Sequence, residues 1–210
     1  MHQKILVLGA TGHIGQQVID LALARGHRVT AFVRSPQKIT RTDPALTVVA
    51  GSLDSAVELS RALPGHDALI SALGPPAREA FRPSRLLTEC AATTVAAMSN
   101  AGIRRLAIVS AAPLFPEKGL KFAFFRWFLR HHLRDLEAME AVVRASDFDW
   151  TIARPPRLVS SNQERYESQQ GGVPGHGRTM SFRGVAAFLM DCIEQHSHSQ
   201  AVVGLSGCAR

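Results

Sequence analysis

Short runs of consecutive apolar residues alternate along this chain with longer stretches in which apolar positions return every three or four residues. The first pattern fits strands buried on both faces, and the second fits helices packed by one face against them. Ile5–Leu8, Arg28–Val33, Leu46–Ala50, Ala68–Leu73, Leu106–Ser110, Trp150–Ala153 and Val202–Leu205 are the expected strands. Ile14, Val18, Leu21 and Ala22 share one face of a first helix that stops at Gly26. Ser55-x-x-Glu58 reads as a capping box opening a short helix, which Pro64-Gly65 ends. Further helices are expected over Ser84–Asn100 with a stop at Gly102, over Leu133–Arg144, and over Val185–Glu194. Strand and helix alternate throughout, so the pattern predicts an α/β chain with a doubly wound, right-handed parallel sheet covered on both faces.

The sharpest local signal lies where the first strand hands over to the first helix, at Gly9-Ala10-Thr11-Gly12-His13-Ile14-Gly15. Three glycines let the chain turn tightly, bring backbone N–H groups near a pyrophosphate and pack the helix close to the sheet. In a strand–turn–helix this is a dinucleotide-binding turn, and the sheet is then expected to be Rossmann-type. The end of the second strand bears on which dinucleotide. An NAD site would place an acidic residue there to hold the ribose 2′-OH, whereas this chain has Arg34, with Lys38 close behind. A guanidinium pairs with a 2′-phosphate, so the expected cofactor is NADP(H).

Length and composition are those of one domain spanning residues 1–210, 46% hydrophobic and with no linker or repeat. A net charge of +7 attracts anions without naming one, and the basic residues are dispersed, so no specific nucleic-acid partner is expected. Cys90, Cys192 and Cys208 are far apart and odd in number, which fits reduced thiols in a cytoplasmic protein. Neither a signal peptide nor a membrane-spanning run is expected. His131-His132 and His196-x-His198 lack a ligand set at metal-binding spacing, so no metal is expected.

In such a sheet ligands bind outside the carboxyl ends of the strands. That rule collects one rim. Ser52, Leu53 and Asp54 follow the third strand and are expected to border the adenine, although Ser55 competes with Asp54 as the helix cap. Ala72, Leu73 and Gly74 follow the fourth, where backbone can approach the diphosphate and ribose. Ser110 ends the fifth and is expected to face the nicotinamide and to be the catalytic residue, through one orienting hydrogen bond, with Pro113 just beyond it toward a substrate. Arg154-Pro155-Pro156-Arg157 follows the sixth, placing Pro155 and Pro156 toward the cofactor and Arg157 toward a substrate.

Gly9-Ala10-Thr11-Gly12-x-x-Gly15, the Val33-Arg34 strand end, Ser110, and the run from Glu140 through Ser146–Pro155 resemble the atypical short-chain dehydrogenase/reductases of the NAD(P)H-binding, NmrA-like group. The resemblance covers nearly the whole chain. Within that group, the compact length, Pro155-Pro156 and the Met180-Ser181 segment leading to Phe188-Leu189-Met190 are most similar to its flavin-reductase branch. It implies an NADPH-dependent reductase of flavins or similar planar acceptors. Gly184 departs from the pattern, since many relatives carry Asp at the start of the last helix, and this puts a capping or partner role there in doubt.

Members of the wider group protonate a carbonyl oxygen with a Tyr assisted by Lys in a Y-x-x-x-K helix. Here Tyr166 is the one tyrosine, it lies beyond the expected helix, and Gln170 stands at the Lys position. Ketone chemistry thus loses its general acid, while hydride transfer to a conjugated acceptor (flavin, quinone or linear tetrapyrrole) can take its proton from solvent. A bulky acceptor also fits residues 120–130, where Phe122, Phe124, Phe125, Trp127 and Phe128 interleave with Lys121, Arg126 and Arg130. Phe122, Phe125 and Arg126 are the expected substrate contacts, and segments around 111–132 and 155–180 are expected to cover the site. The same stripe is open to two other readings, core packing or surface contact with an anionic membrane through 120–134. Two functions follow from the sequence: a reductase, or an NADP(H)-binding redox sensor or regulator without turnover, in either case a monomer or homodimer.

Overall fold

The computed structural model describes residues 2–75, 82–116, 126–175 and 179–208. The strands are β1 Lys4–Leu8, β2 Arg28–Val33, β3 Leu46–Ala50, β4 Ala68–Ser71, β5 Arg105–Val109, β6 Asp149–Arg154, β7 Arg157–Val159, β8 Tyr166–Gln170, β9 Thr179–Ser181 and β10 Ala201–Gly207. The helices are α1 His13–Ala24, α2 Ala56–Ala62, α3 Leu86–Ala101, α4 Arg130–Arg144 and α5 Phe182–Gln195. Short 3₁₀ turns cover Pro36–Lys38 and Ala112–Leu114.

The main sheet runs β3-β2-β1-β4-β5-β6-β10-β8. The order reverses between β1 and β4, and this is the point at which doubly wound sheets open a crevice for ligand. Each strand of the series from β3 to β10 is parallel to its neighbours. Alternation along β1 shows how the layers form: Ile5 and Val7 enter one core with Val18, Val185 and Phe188, while Leu6 and Leu8 enter the other with Leu59, Met98 and Met139. Helices α1 and α5 therefore cover one face, and α2, α3 and α4 the other. At the opposite end from the crevice, the buried Arg105 guanidinium ties β5 to Asp149 of β6 and to the carbonyls of Cys192 and Ser197.

Two expectations need correction. The sheet is not wholly parallel, because β8 pairs antiparallel with β10, Tyr166 opposite Gly207. Its sequence, Tyr-Glu-Ser-Gln-Gln, is polar because it is an outer strand exposed along one side, so the apolar-run criterion passes over it. Likewise β3 is an edge strand in which Thr47, Val48 and Ala50 are exposed, and it is not covered on both faces. Neither β7 nor β9 was expected, and the two form a separate parallel pair. Helix α4 begins three residues before Leu133 and α5 three before Val185, since Arg130-His131-His132 and Phe182-Arg183-Gly184 do not continue the apolar period of the turns that follow.

Candidate nucleotide site at the carboxyl rim

Gly9 occupies the reversal point. Its φ is +72°, and a Cβ there would lie 2.5 Å from the carbonyl oxygen of Ala72, the residue after β4. Both facts require glycine. Gly15 is needed for another reason: a Cβ would fall 2.1 Å from the Gly9 oxygen and 2.8 Å from Ala10 Cα, so α1 could not pack so close to the turn. Gly12 donates its N–H to Gly9 O at 2.9 Å and begins α1 with no side-chain cap. The first-turn amides of α1 are thus left to an external acceptor, and Thr11, Gly12 and His13 are exposed beside them while Ile14 is half-buried and Gly15 buried. The His13 ring stacks on Phe182 of α5, centroids 4.8 Å apart. Phe182 carried no sequence signal.

Arg34 and Lys38 stand beyond β2, Arg34 exposed and Lys38 on the 3₁₀ turn that follows. Neither makes an ion pair among the described residues, so both positive charges remain available to an anion. Asp54, Arg34 and Cys90 share this corner: burial, then the charge of Asp54, pushes the Cys90 thiol up to about 11, with Arg34 opposing. Ser55 is the cap of α2, its Oγ accepting the Glu58 N–H at 3.4 Å, while Asp54 accepts the Ser52 hydroxyl at 2.8 Å. Glu58 does not close the capping box; its carboxylate takes the Ser52 N–H at 2.8 Å and so holds the 52–54 loop, with Leu53 half-buried against the core. Ala72 and Leu73 are half-buried, and Gly74 is open: a Cβ added there would meet no heavy atom within 4 Å.

Ser110 continues the β5–β6 pairing, its N–H bonded to Ala153 O at 2.7 Å. Its hydroxyl is bound at 2.6 Å to Glu140 of α4, a carboxylate buried to 3% exposure. Glu140 also accepts Arg154 Nε and Nη2 at 2.8 and 2.7 Å and Arg144 Nη2 at 2.7 Å. Arg154 in turn lies over the Phe115 ring at 4.5 Å. This charged knot was not foreseen from the sequence, although Glu140 falls on the apolar face of α4 set by Leu133, Leu136 and Val143, where a carboxylate signals a buried partner.

Pro155 is buried and Pro156 half-buried on the same rim, where Pro155 O accepts the Ala112 N–H at 2.9 Å. Pro113 sits in the adjoining 3₁₀ turn, and Arg126 reaches its carbonyl with Nη1 while its Nη2 lies 3.8 Å from Glu137. Arg157 is exposed at the start of β7. Phe122 and Phe125 lie outside the described residues. Tyr166 is held away from this rim. Its hydroxyl donates to Asp191 Oδ2 of α5 at 2.6 Å, and burial, then that bond, raises its pKa. A depression of about 480 Å³ lined by Tyr166, Arg25, Asp191 and Cys208 contains none of the rim residues. At Gly184 the cap is supplied by Ser181, which accepts the Gly184 N–H at 2.7 Å, and a Cβ at 184 would meet that oxygen at 2.9 Å.

Among the described residues no helix is long and apolar enough to cross a membrane. A denitrifying reductase of 3-diazoavenalumate from a Streptomyces species is 38% identical over 119 residues, covering 52% of this chain and 38% of that one. The uncharacterized sugar epimerase YhfK of Bacillus subtilis is 28% identical over 159 residues, covering 74% and 72%. The chain spans between 33% and 72% of the length of the first curated relatives it matches. In fold it is similar to a Rossmann-fold NAD(P)-binding family protein from Shigella flexneri, with a TM-score of 0.77, 24% identity and coverage of 100% and 98%. Glycine turn, reversal point and rim all lie within residues 9–196, which match the NAD(P)H-binding family, and the chain belongs to that family.

Proposed function

We propose that this protein is an NADPH-dependent reductase that delivers hydride to a planar conjugated acceptor, a flavin, quinone or linear tetrapyrrole, without a tyrosine acid. The observation that carries this reading is the fate of the two hydroxyls that carbonyl chemistry would use. Tyr166 is bound to Asp191 away from the rim, and the Ser110 proton is directed at Glu140. An acceptor that spreads its incoming charge over a ring system needs neither.

The turn fits the cofactor. Gly9 and Gly15 let the turn pack against the backbone of Ala72 and of Gly9, where a Cβ would clash, and the uncapped start of α1 offers its N–H groups to a diphosphate. Arg34, with Lys38, would take the 2′-phosphate, and Ser52, Leu53 and Asp54 would border the adenine. Ala72, Leu73 and Gly74 would flank the ribose and diphosphate, and Ser110, Pro155 and Pro156 the nicotinamide. When bound, NADPH supplies the hydride. Pro113, Arg126 and Arg157, with Phe122 and Phe125, would hold the acceptor ring against it, and orientation is then the main contribution of the protein.

The reductase name of the Streptomyces relative supports the same class of reaction. The test is NADPH oxidation with a panel of flavins, quinones and biliverdin. Turnover with at least one acceptor is expected; NADPH binding without oxidation by any of them would replace this reading with that of a regulator that senses NADP(H).

A further inference from the structure

The hydrogen bonds around Glu140 settle which way the Ser110 proton points. An arginine side chain can only donate. Glu140 Oε1 receives Arg154 Nε and Oε2 receives Nη2 from both Arg154 and Arg144, so both oxygens are acceptors and the Ser110 hydroxyl at 2.6 Å must be the donor to Oε1. The bond is charge-assisted and lies in a buried setting, with Glu140 3% and Ser110 7% exposed. Among the described residues nothing donates to Ser110 Oγ. At the carboxyl end of β5 this serine therefore offers unused lone pairs and no proton.

We infer that Glu140 is a positioning residue that makes Ser110 a hydrogen-bond acceptor for the carboxamide N–H of the nicotinamide. The inference rests on the reading that the nicotinamide lies at the ends of β5 and β6. It goes further by fixing the polarity of the contact: the group that meets Ser110 must be a donor. A carbonyl oxygen brought to the same place would face lone pairs, so Glu140 also selects against substrates that need a proton from Ser110. Arg154 holds the carboxylate in register from β6, two hydrogen bonds fixing its plane.

The probes are NADP⁺ and its 3-acetylpyridine analogue, in which a methyl replaces the carboxamide NH₂ and the carbonyl is kept. Their affinities are measured by calorimetry on the whole chain, so no turnover is needed. The unmutated protein should bind the analogue about fivefold more weakly, the worth of one hydrogen bond, and in Ser110→Ala the ratio should fall to about one. Glu140→Leu combined with Arg154→Met removes both buried charges together, which protects the fold, and frees the hydroxyl to donate. There too the ratio should collapse, with circular dichroism unchanged. Equal affinities in the unmutated protein, or a ratio that survives Ser110→Ala, would overturn the inference while leaving the cofactor reading intact. A ratio that survives only in the double variant would remove Glu140 from it. No NADP⁺ binding at all would overturn the cofactor reading and this inference together.

Discussion

Gly15→Ala is the smallest change that should damage both the fold and the site. The added Cβ would lie 2.1 Å from Gly9 O, 2.7 Å from Gly9 C and 2.8 Å from Ala10 Cα. Ordinary contact begins near 3.4 Å, so the methyl is about 1.3 Å too close, and all three neighbours are backbone that no rotamer change can move. Relief requires α1 to shift away from the turn, although Gly9 O is also held by Gly12 N–H at 2.9 Å. Overpacking of this kind costs roughly 1–3 kcal/mol, and the backbone clash places Gly15→Ala near 3. For a chain of this size that is a fall of about 6–12 °C in Tm. Because the same shift misaligns the first-turn amides, NADP⁺ affinity should drop at least about tenfold. Differential scanning calorimetry and titration calorimetry read the two effects. Gly74→Ala is the control: nothing lies within 4 Å of its Cβ, and Tm should change little. A Gly15→Ala protein that melts within a degree of the parent and binds NADP⁺ equally well would refute the close-packing argument.

Arg34→Asp should abolish a preference for NADPH over NADH of at least about tenfold, the value of one charge-assisted pair at an exposed site, and equal affinities in the parent would refute the assignment. Tyr166→Phe removes the bond to Asp191 and should cost about 1 kcal/mol in urea unfolding while single-turnover hydride transfer is unchanged; a hundredfold slower transfer would restore tyrosine as the acid. Ellman's reagent at pH 8 should titrate one fast thiol, the half-exposed Cys208, because burial pushes Cys90 up to about 11 and Cys192 up to about 12; any fast thiol in folded Cys208→Ser would contradict this.

The parallel core was legible because a strand buried on both faces writes a continuous apolar run, and Ile5–Leu8 or Ala68–Leu73 can hardly be read otherwise. The glycine turn was legible because its spacing records backbone contacts, those of Gly9 with Ala72 and Gly15 with Gly9, that no other residue permits. What escaped depends on partners distant in sequence. Tyr166–Gln170 is a strand only because β10 lies beside it, and its polar residues give no period of their own. Ser110 was legible as a rim residue, but the acceptor of its hydroxyl hydrogen bond sits thirty residues on in α4. The His13–Phe182 stack joins the first and last helices, and neither residue type announces it.

Asp135 of α4 carries a consequence for cooperativity. Its buried carboxylate takes the N–H groups of Leu87 and Thr88, each at 3.0 Å, and the Thr88 hydroxyl at 2.7 Å, across 47 and 48 positions of sequence, while Arg85 supplies no side-chain cap of its own. The start of α3 is therefore secured by another helix. Amide protons of Leu87 and Thr88 can exchange with solvent only when α4 lifts or α3 frays away from it, so their protection sets a lower bound on the docking free energy of α4. Residues 86–101 and 130–144 are thereby linked across β5, and a ligand that steadies α4 through the Ser110–Glu140 knot should become visible as slower exchange at the first turn of α3.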